Sequence, residues 1–408
     1  MKILHIISNG NIGGREKVLY LLLNEESKDK QIQTSAFFKY PVGPYYTKIK
    51  SLGISVYYNI TRLRDIISLM EKQDIIVFHF VDWRFFLAGI LSGKSILYRL
   101  SGIYLLNKKS LGDVFFILAK KIKKTIWRRH SEDDRRGDQL IKLPAKENTS
   151  QSKIPNRRSL YRLIKRKYFE LFLRKWCTYL IANSRYTAKS AVEKYGIQPQ
   201  KIRIVMNGIE FNNRKGDETD FRASYNIDKN VFLIGTVCRF DTRKRLDRLL
   251  MGFSMISNLK DFHLVVVGGG DTVIEQALKQ FVAHNNLLDK VSFTGILENS
   301  SDAMSAMNLF VLSSDNETFG VSLVEAMYKK KPVVVFSDSG GPAEIISGQN
   351  CGYIINTPSE MPGIVEQLRA DPILTQRLGE NGHRLVVEKY NVKRFYKNSL
   401  RVYSELFE

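Results

Sequence analysis

The chain has 408 residues, 44% hydrophobic and 25% charged, with 63 Lys and Arg against 41 Asp and Glu for a net charge of +22. These proportions suit a globular protein of two or three domains and exclude collagen-like, coiled-coil and fully disordered chains. Cys177, Cys238 and Cys351 stand too far apart for a disulfide framework or a Cys-x-x-Cys zinc site, so reduced thiols in a cytoplasmic protein are expected.

In chain order, residues 2–8 form a β-rich apolar run, 9–14 (NGNIGG) a turn, and 15–24 a helix with Val18, Leu19, Leu22 and Leu23 on its apolar side. The opening run is too short for a signal-peptide core, and no window approaches 18 apolar residues, so neither a leader nor a spanning helix is expected. Strands follow at 34–38, 54–58, 74–80 and 95–100, with a helix at 63–71. Such alternation predicts a parallel sheet with helices on both faces.

The pattern breaks after residue 106. Between Leu106 and Trp176 there are 21 Lys and Arg and 7 Asp and Glu, a net of +14. Residues near 106–156 read as a polar, basic insertion with loop-like stretches. Helical spacing returns at 157–176, where Leu160, Leu163, Ile164, Tyr168, Leu171, Phe172 and Trp176 form an apolar stripe opposed by basic residues. With 119–129 (AKKIKKTIWRR), this stretch predicts a surface for anionic lipid, the competing reading being an ordinary domain helix.

A strand at 179–182, a capped helix through Lys194 and a strand at 202–206 close the first unit. A second alternating series begins near Val231. Its strands fall at 232–238, 262–267, 291–294, 309–312, 332–336 and 352–355, with helices at 246–256, 275–284, 302–307 and 321–328, and a mostly helical tail from 362. Two doubly wound units in tandem are predicted, with a ligand between them at the carboxyl ends of the strands.

Chemistry concentrates in four segments. In ETFGVSLVEAM (317–327), Gly320 allows close backbone approach, the helix that follows offers free N–H groups to a diphosphate, and Glu325 lies one turn in, where a carboxylate can take a ribose diol. In GTVCRFDTRKR (235–245), Arg239 and Lys244 supply fixed cations for the charge that grows on a departing diphosphate. NIGGRE (11–16) and DSGGPAE (338–344) are Gly-rich loops after strands, and Asn207-Gly208-Ile209-Glu210 is a turn near the domain junction. His79 reads as a buried structural histidine.

These segments, together with IANSRYT (181–187), IVMNGIE (204–210), VVVGGG (265–270), VSFTGIL (291–297), VVVFSDSGGPAEII (333–346) and GENGHRLVVEKYN (379–391), resemble glycosyltransferase family 4 in the same order. The resemblance covers nearly the whole chain outside 106–156. It implies a GT-B fold, an α/β architecture of two Rossmann-like domains facing across a cleft. An acceptor-binding domain would span 1–206 and a nucleotide-sugar-binding domain 207–385, with a helix at 386–408 packing back on the first. It further implies retaining transfer from a nucleotide-diphosphate sugar. Arg239, Lys244 and Glu317 would be catalytic, the first two on the diphosphate and Glu317 on the sugar hydroxyls. Glu325 would hold the ribose, and Phe319, Gly320 and Val321 would run along the sugar and phosphates. Gly13 and Gly14 would line the donor–acceptor side, and Thr294, Gly295 and Ile296 would lie near the base. One departure stands out: Ser101-Gly102 replaces a common His-Gly or His-Asp pair. Asp-x-Asp is absent from the sequence, so no metal and no cofactor is expected.

The expected partners are the nucleotide-sugar donor, a glycan or lipid-linked acceptor, and an anionic membrane surface on the inner face of the cytoplasmic membrane, as in a bacterial enzyme of cell-surface polysaccharide or lipopolysaccharide synthesis. A donor-binding pseudoenzyme, a basic nucleic-acid-binding protein and a GT-B epimerase are the rival readings. The sequence carries no zinc finger, basic zipper or aromatic RNA-binding signature for the second of these.

Overall fold

A computed structural model describes residues 1–11, 13–80, 82–100, 167–211 and 218–408. The insertion near 106–156, the 119–129 stretch, residues 157–166 and Ser101 lie outside these.

The first unit is a seven-stranded parallel sheet in the order β3-β2-β1-β4-β5-β6-β7. Its strands are β1 (Lys2–Ile7), β2 (Gln33–Phe38), β3 (Ser55–Tyr58), β4 (Ile75–Phe78), β5 (Ser95–Leu100), β6 (Tyr179–Ala182) and β7 (Ile202–Ile204). The second is a six-stranded parallel sheet in the order β10-β9-β8-β11-β12-β13. It comprises β8 (Phe232–Val237), β9 (Phe262–Val267), β10 (Val291–Gly295), β11 (Leu309–Leu312), β12 (Val333–Phe336) and β13 (Gly352–Ile355). The central strands are apolar throughout because helices cover both faces; all six residues of β9 are buried. Strand order reverses between β1 and β4 in one sheet and between β8 and β11 in the other. Crevices open at those reversals, beyond the carboxyl ends of the strands.

Two helices of the first unit break the sequence expectation. Pro44–Lys50 buries only Ile49, so its seven residues carry almost no periodic signal. Trp83–Leu91 (WRFFLAGIL) is apolar on most sides, and Asp82 caps it by accepting from the Arg84 N–H at 2.9 Å. The described helical residues 167–175 also differ from expectation. Phe169, Phe172 and Leu173 face the core, whereas Tyr168, Leu171 and Trp176 are exposed. The segment packs as a domain helix there, with Phe172 stacked on Phe86 at 3.9 Å between centroids.

Helix Pro372–Lys389 belongs to the second unit, and the chain then crosses back. Asn391 accepts from the Arg394 N–H at 2.8 Å and so caps helix Val392–Ser404. Phe395, Val402 and Tyr403 from that helix join Ile3, Val18, Leu22, Ile75, Val77 and Leu97 in one buried cluster. Beneath it lies a polar layer. Glu26, fully buried, accepts from Thr34 Oγ1 at 2.7 Å and Tyr403 OH at 3.1 Å, and pairs with His5 Nε2 at 2.9 Å. His5 Nδ1 in turn meets His79 Nε2 at 2.9 Å, which gives His79 the structural setting expected for it. Removing one partner of a buried hydrogen bond costs about 1–3 kcal/mol. Tyr403→Phe is therefore expected to lower stability by about that amount, read as a lower urea midpoint at unchanged slope; an unchanged midpoint would mean that the Tyr403–Glu26 bond contributes nothing.

All three cysteines are free. Burial pushes the Cys177 and Cys238 thiols up to about 12 and that of Cys351 to about 11, so they stay protonated at neutral pH.

Candidate active site

The reversal between β8 and β11 explains why residues 73 positions apart meet. β8 delivers the loop carrying Arg239 to Arg245, and β11, its neighbour in the sheet, delivers Ser313 to Gly320. Lys244 Nζ donates to Glu317 Oε2 there. Burial works against both charges, but each outweighs it for the other: Lys244 is held above its ordinary 10.5 and Glu317 below its ordinary 4.5, with Arg243 and Arg239 assisting the latter.

The two loops are bonded to each other. Ser313 Oγ donates to the Lys244 carbonyl at 2.7 Å, and the Asp315 N–H to the Arg243 carbonyl at 2.9 Å. Arg248, on helix Leu246–Ser254, buttresses them from below. It donates to the Ser313 and Ser314 carbonyls at 2.7 and 2.9 Å, takes both Asp338 oxygens at 3.0 and 2.9 Å, and lies 3.9 Å over the Phe336 ring. The DSGGPAE loop locks the other side. Glu317 N–H donates to Ser339 O at 2.8 Å and Gly341 N–H to Glu317 O at 2.9 Å. A Cβ on Gly341 would lie 2.2 Å from the Thr318 carbonyl oxygen, so only glycine permits this approach.

Gly320, at φ 81°, then turns the chain into helix Val321–Tyr328, which has no side-chain N-cap. The N–H groups of its first turn have no intrahelical partner and suit an anion. Gly14 of the first unit sits against this turn, since a Cβ there would meet Val321 Cγ2 at 3.3 Å. The structure thus brings Lys244, Glu317, Gly320, Val321, Glu325 and Gly14 to one cleft, with Gly13 capping the first helix beside Glu16. Arg239 stands at the rim, 67% exposed and facing Asp241 at 3.8 Å, where its charge still acts on Glu317. Phe319 turns into the core against Tyr390, leaving only its backbone for a ligand. Thr294, Gly295 and Ile296 line the neighbouring loop, with Gly295 accepting from Gly268 N–H at 2.9 Å and Ile296 69% exposed beside Gly269.

Four residues to which the sequence reading gave no such role join the units. Lys17 Nζ reaches across to Glu325 Oε1. Glu344 accepts from the Arg185 and Tyr186 N–H groups at 3.0 and 2.8 Å, so a carboxylate of one unit caps a helix of the other. Tyr186 OH donates to Asn316 Oδ1 at 2.7 Å, and Ser184 Oγ to the Thr318 carbonyl at 2.7 Å. The signal available for Lys17 was its place one turn past the Gly pair; for Glu344 it was the helix-capping serine of the other unit. Among the described residues no group of three or more His, Cys, Asp or Glu side chains is placed to hold a metal ion.

Residues 217–385 match the family described as glycosyl transferases group 1, and residues 108–213 match glycosyltransferase family 4. Across residues 217–385 the chain belongs to the group 1 glycosyltransferases. Its relatives include the alpha-1,3/1,6-mannosyltransferase ALG2 of Dictyostelium discoideum, 26% identical over 58% of this chain and 64% of that one. Mannosylfructose-phosphate synthase of Agrobacterium fabrum is 31% identical over 42% of this chain and 40% of its own length. The chain therefore spans less than two thirds of the length of these relatives. Its fold is similar over 99% of the chain to Anabaena HepE in complex with UDP-glucose, covering 100% of that chain at TM-score 0.76 and 16% identity. WaaG, a glycosyltransferase involved in lipopolysaccharide biosynthesis, is matched at TM-score 0.64 and 14% identity over 97% of this chain and 98% of its own. These likenesses establish the GT-B fold.

Proposed function

We propose that this protein is a retaining glycosyltransferase that needs no metal and moves a sugar from a nucleotide-diphosphate donor to a glycan or lipid-linked acceptor. The Lys244–Glu317 pair beneath the uncapped helix Val321–Tyr328, with Glu325 one turn on, carries this reading. A diphosphate placed at that turn takes Lys244 and the helix N–H groups, Glu317 is left for sugar hydroxyls, and Glu325 takes the ribose diol. As the sugar C1–O bond breaks, the electron pair stays on the diphosphate, where fixed cations and N–H dipoles stabilise it. The acceptor oxygen bonds to C1 on the same face, and its proton passes to the departing phosphate oxygen.

A role in cell-surface glycan synthesis draws support from relatives such as the O-antigen biosynthesis glycosyltransferase WclY of Escherichia coli, 21% identical over 57% of this chain. Exposed Trp83, Tyr168, Leu171 and Trp176 on the first unit favour an acceptor presented at a lipid surface. Among the described residues no helix is long and apolar enough to cross a membrane.

Thermal shift against UDP-, GDP- and ADP-sugars tests the reading. At about 100 times its dissociation constant, the true donor is expected to add about 2.7 kcal/mol of stability. Glu325→Ala and Lys244→Ala should each remove that rise. A donor that raises the melting temperature equally in wild type and both variants would place the site elsewhere.

A further inference from the structure

We propose that Lys17 is a positioning residue of the donor site: it holds one oxygen of Glu325 from across the cleft, so that the other is presented to the ribose only when the two domains are closed. This rests on the assignment of Glu325 to the ribose.

Lys17 is the fourth residue of helix Gly14–Glu26, one turn beyond the glycine pair, and its N–H donates to Gly13 O at 3.0 Å. The helix thus projects the side chain from the first unit toward the start of helix Val321–Tyr328. Glu325 lies 308 residues away in sequence. The side chains are 39% and 19% exposed, so the pair lies at the cleft rather than in free solvent. Tyr45 and Glu210 are the other groups whose charge Lys17 feels, and Glu325 is its hydrogen-bonded partner.

A carboxylate has about four acceptor sites on two oxygens. Lys17 occupies Oε1, whereas Oε2 receives no hydrogen bond from the described residues. The ammonium therefore leaves room for a diol and fixes the carboxylate that must receive it. It also offsets a negative charge that would otherwise stand beside an incoming diphosphate. Because its two members belong to different domains, the pair can form only in the closed cleft, beside the Gly14–Val321 approach. Nucleotide binding and closure then share one ion pair.

A double-mutant cycle with Lys17→Met and Glu325→Ala tests this, with UDP, GDP and ADP as probes by calorimetry and melting temperature as the check on folding. For the nucleotide that binds wild type, Lys17→Met is expected to weaken binding roughly 10-fold, a charged hydrogen bond discounted for partial exposure. Lys17→Arg should bind within about threefold of wild type, because it keeps the charge and a donor. In the Glu325→Ala background, Lys17→Met should have no further effect, since coupled residues are not additive. Unchanged or tighter binding by Lys17→Met, or effects that add, would overturn the proposal while a weakened Glu325→Ala variant keeps the ribose assignment. Wild-type affinity in Glu325→Ala itself would instead remove that assignment.

Discussion

Alanine in place of Lys244 is expected to lower kcat for sugar transfer roughly 10²- to 10³-fold, the usual cost of removing one preorganised group that stabilises developing negative charge. The ammonium is largely buried, bonded to Glu317 and fixed by a loop whose own carbonyl is held by Ser313. It therefore needs little reorganisation when the diphosphate departs. Arg239→Ala should cost much less, because Arg239 is exposed and faces Asp241. A nucleotide-release assay at saturating donor measures both; a Lys244→Ala variant retaining more than about a tenth of wild-type turnover would remove Lys244 from the leaving-group site.

The same substitution strands a carboxylate that is only 25% exposed and should cost about 1–2 kcal/mol of stability, after discounting for that exposure. Its pH dependence has a definite sign. Glu317 is held below 4.5 in the folded protein, so its contribution is present above pH 4.5 and fades as pH falls through the lowered value. Lys244 is held above 10.5, so its contribution is present below pH 10.5 and is lost as pH climbs through the raised value. The two describe one interaction from its two ends. The gap in unfolding midpoint between wild type and Lys244→Ala should thus be flat near neutrality and narrow in acid.

Arg248→Ala is expected to have the largest effect on stability, about 2–6 kcal/mol, because the carbonyls of buried Ser313 and Ser314 each lose a donor at about 1–3 kcal/mol, while the exposed Asp338 carboxylate adds little. One guanidinium holds two loop carbonyls and both oxygens of Asp338 while stacked on Phe336. Its loss leaves several groups unpartnered and frees the loop that carries Glu317, so donor binding should fall with stability. Arg248→Lys should rescue little, because an ammonium cannot reproduce the planar fork. Urea midpoints with an unchanged slope measure the loss; a drop of less than about 1 kcal/mol would mean the loops hold without it.

Much of this architecture was legible because parallel strands buried on both faces read as apolar runs, and those runs recur at regular distance. Pro44–Lys50 escaped because one buried residue in seven makes no pattern, and Trp83–Leu91 because an apolar run lacks a polar face to set its period. In 167–176 the period is visible but the phase is not: the expected stripe joins Tyr168, Leu171 and Trp176 to Phe172, whereas the core takes Phe172 with Phe169 and Leu173. At the site, Lys244, Glu317 and Glu325 could be named because loop and helix-start chemistry is local. The partners of Glu325 and Glu344 could not, since Lys17 and the Arg185–Tyr186 backbone reach them only through tertiary approach. Arg248 stood in a run of basic residues where its neighbours Arg243 and Arg245 concealed it.

The helix that returns from the second domain has a bearing on how the molecule is made. The first sheet leaves the ribosome with Ile3, Ile75, Val77 and Leu97 only partly covered, by Val18 and Leu22, because Phe395, Val402 and Tyr403 do not yet exist. Nearly two hundred residues separate β7 from that cover, a wait of roughly 10–40 s at common elongation speeds. Glu26 likewise lacks the Tyr403 hydroxyl for that interval. The domain synthesised first is therefore the last to be completed, and a nascent chain halted anywhere in the second domain would offer chaperones an open apolar face.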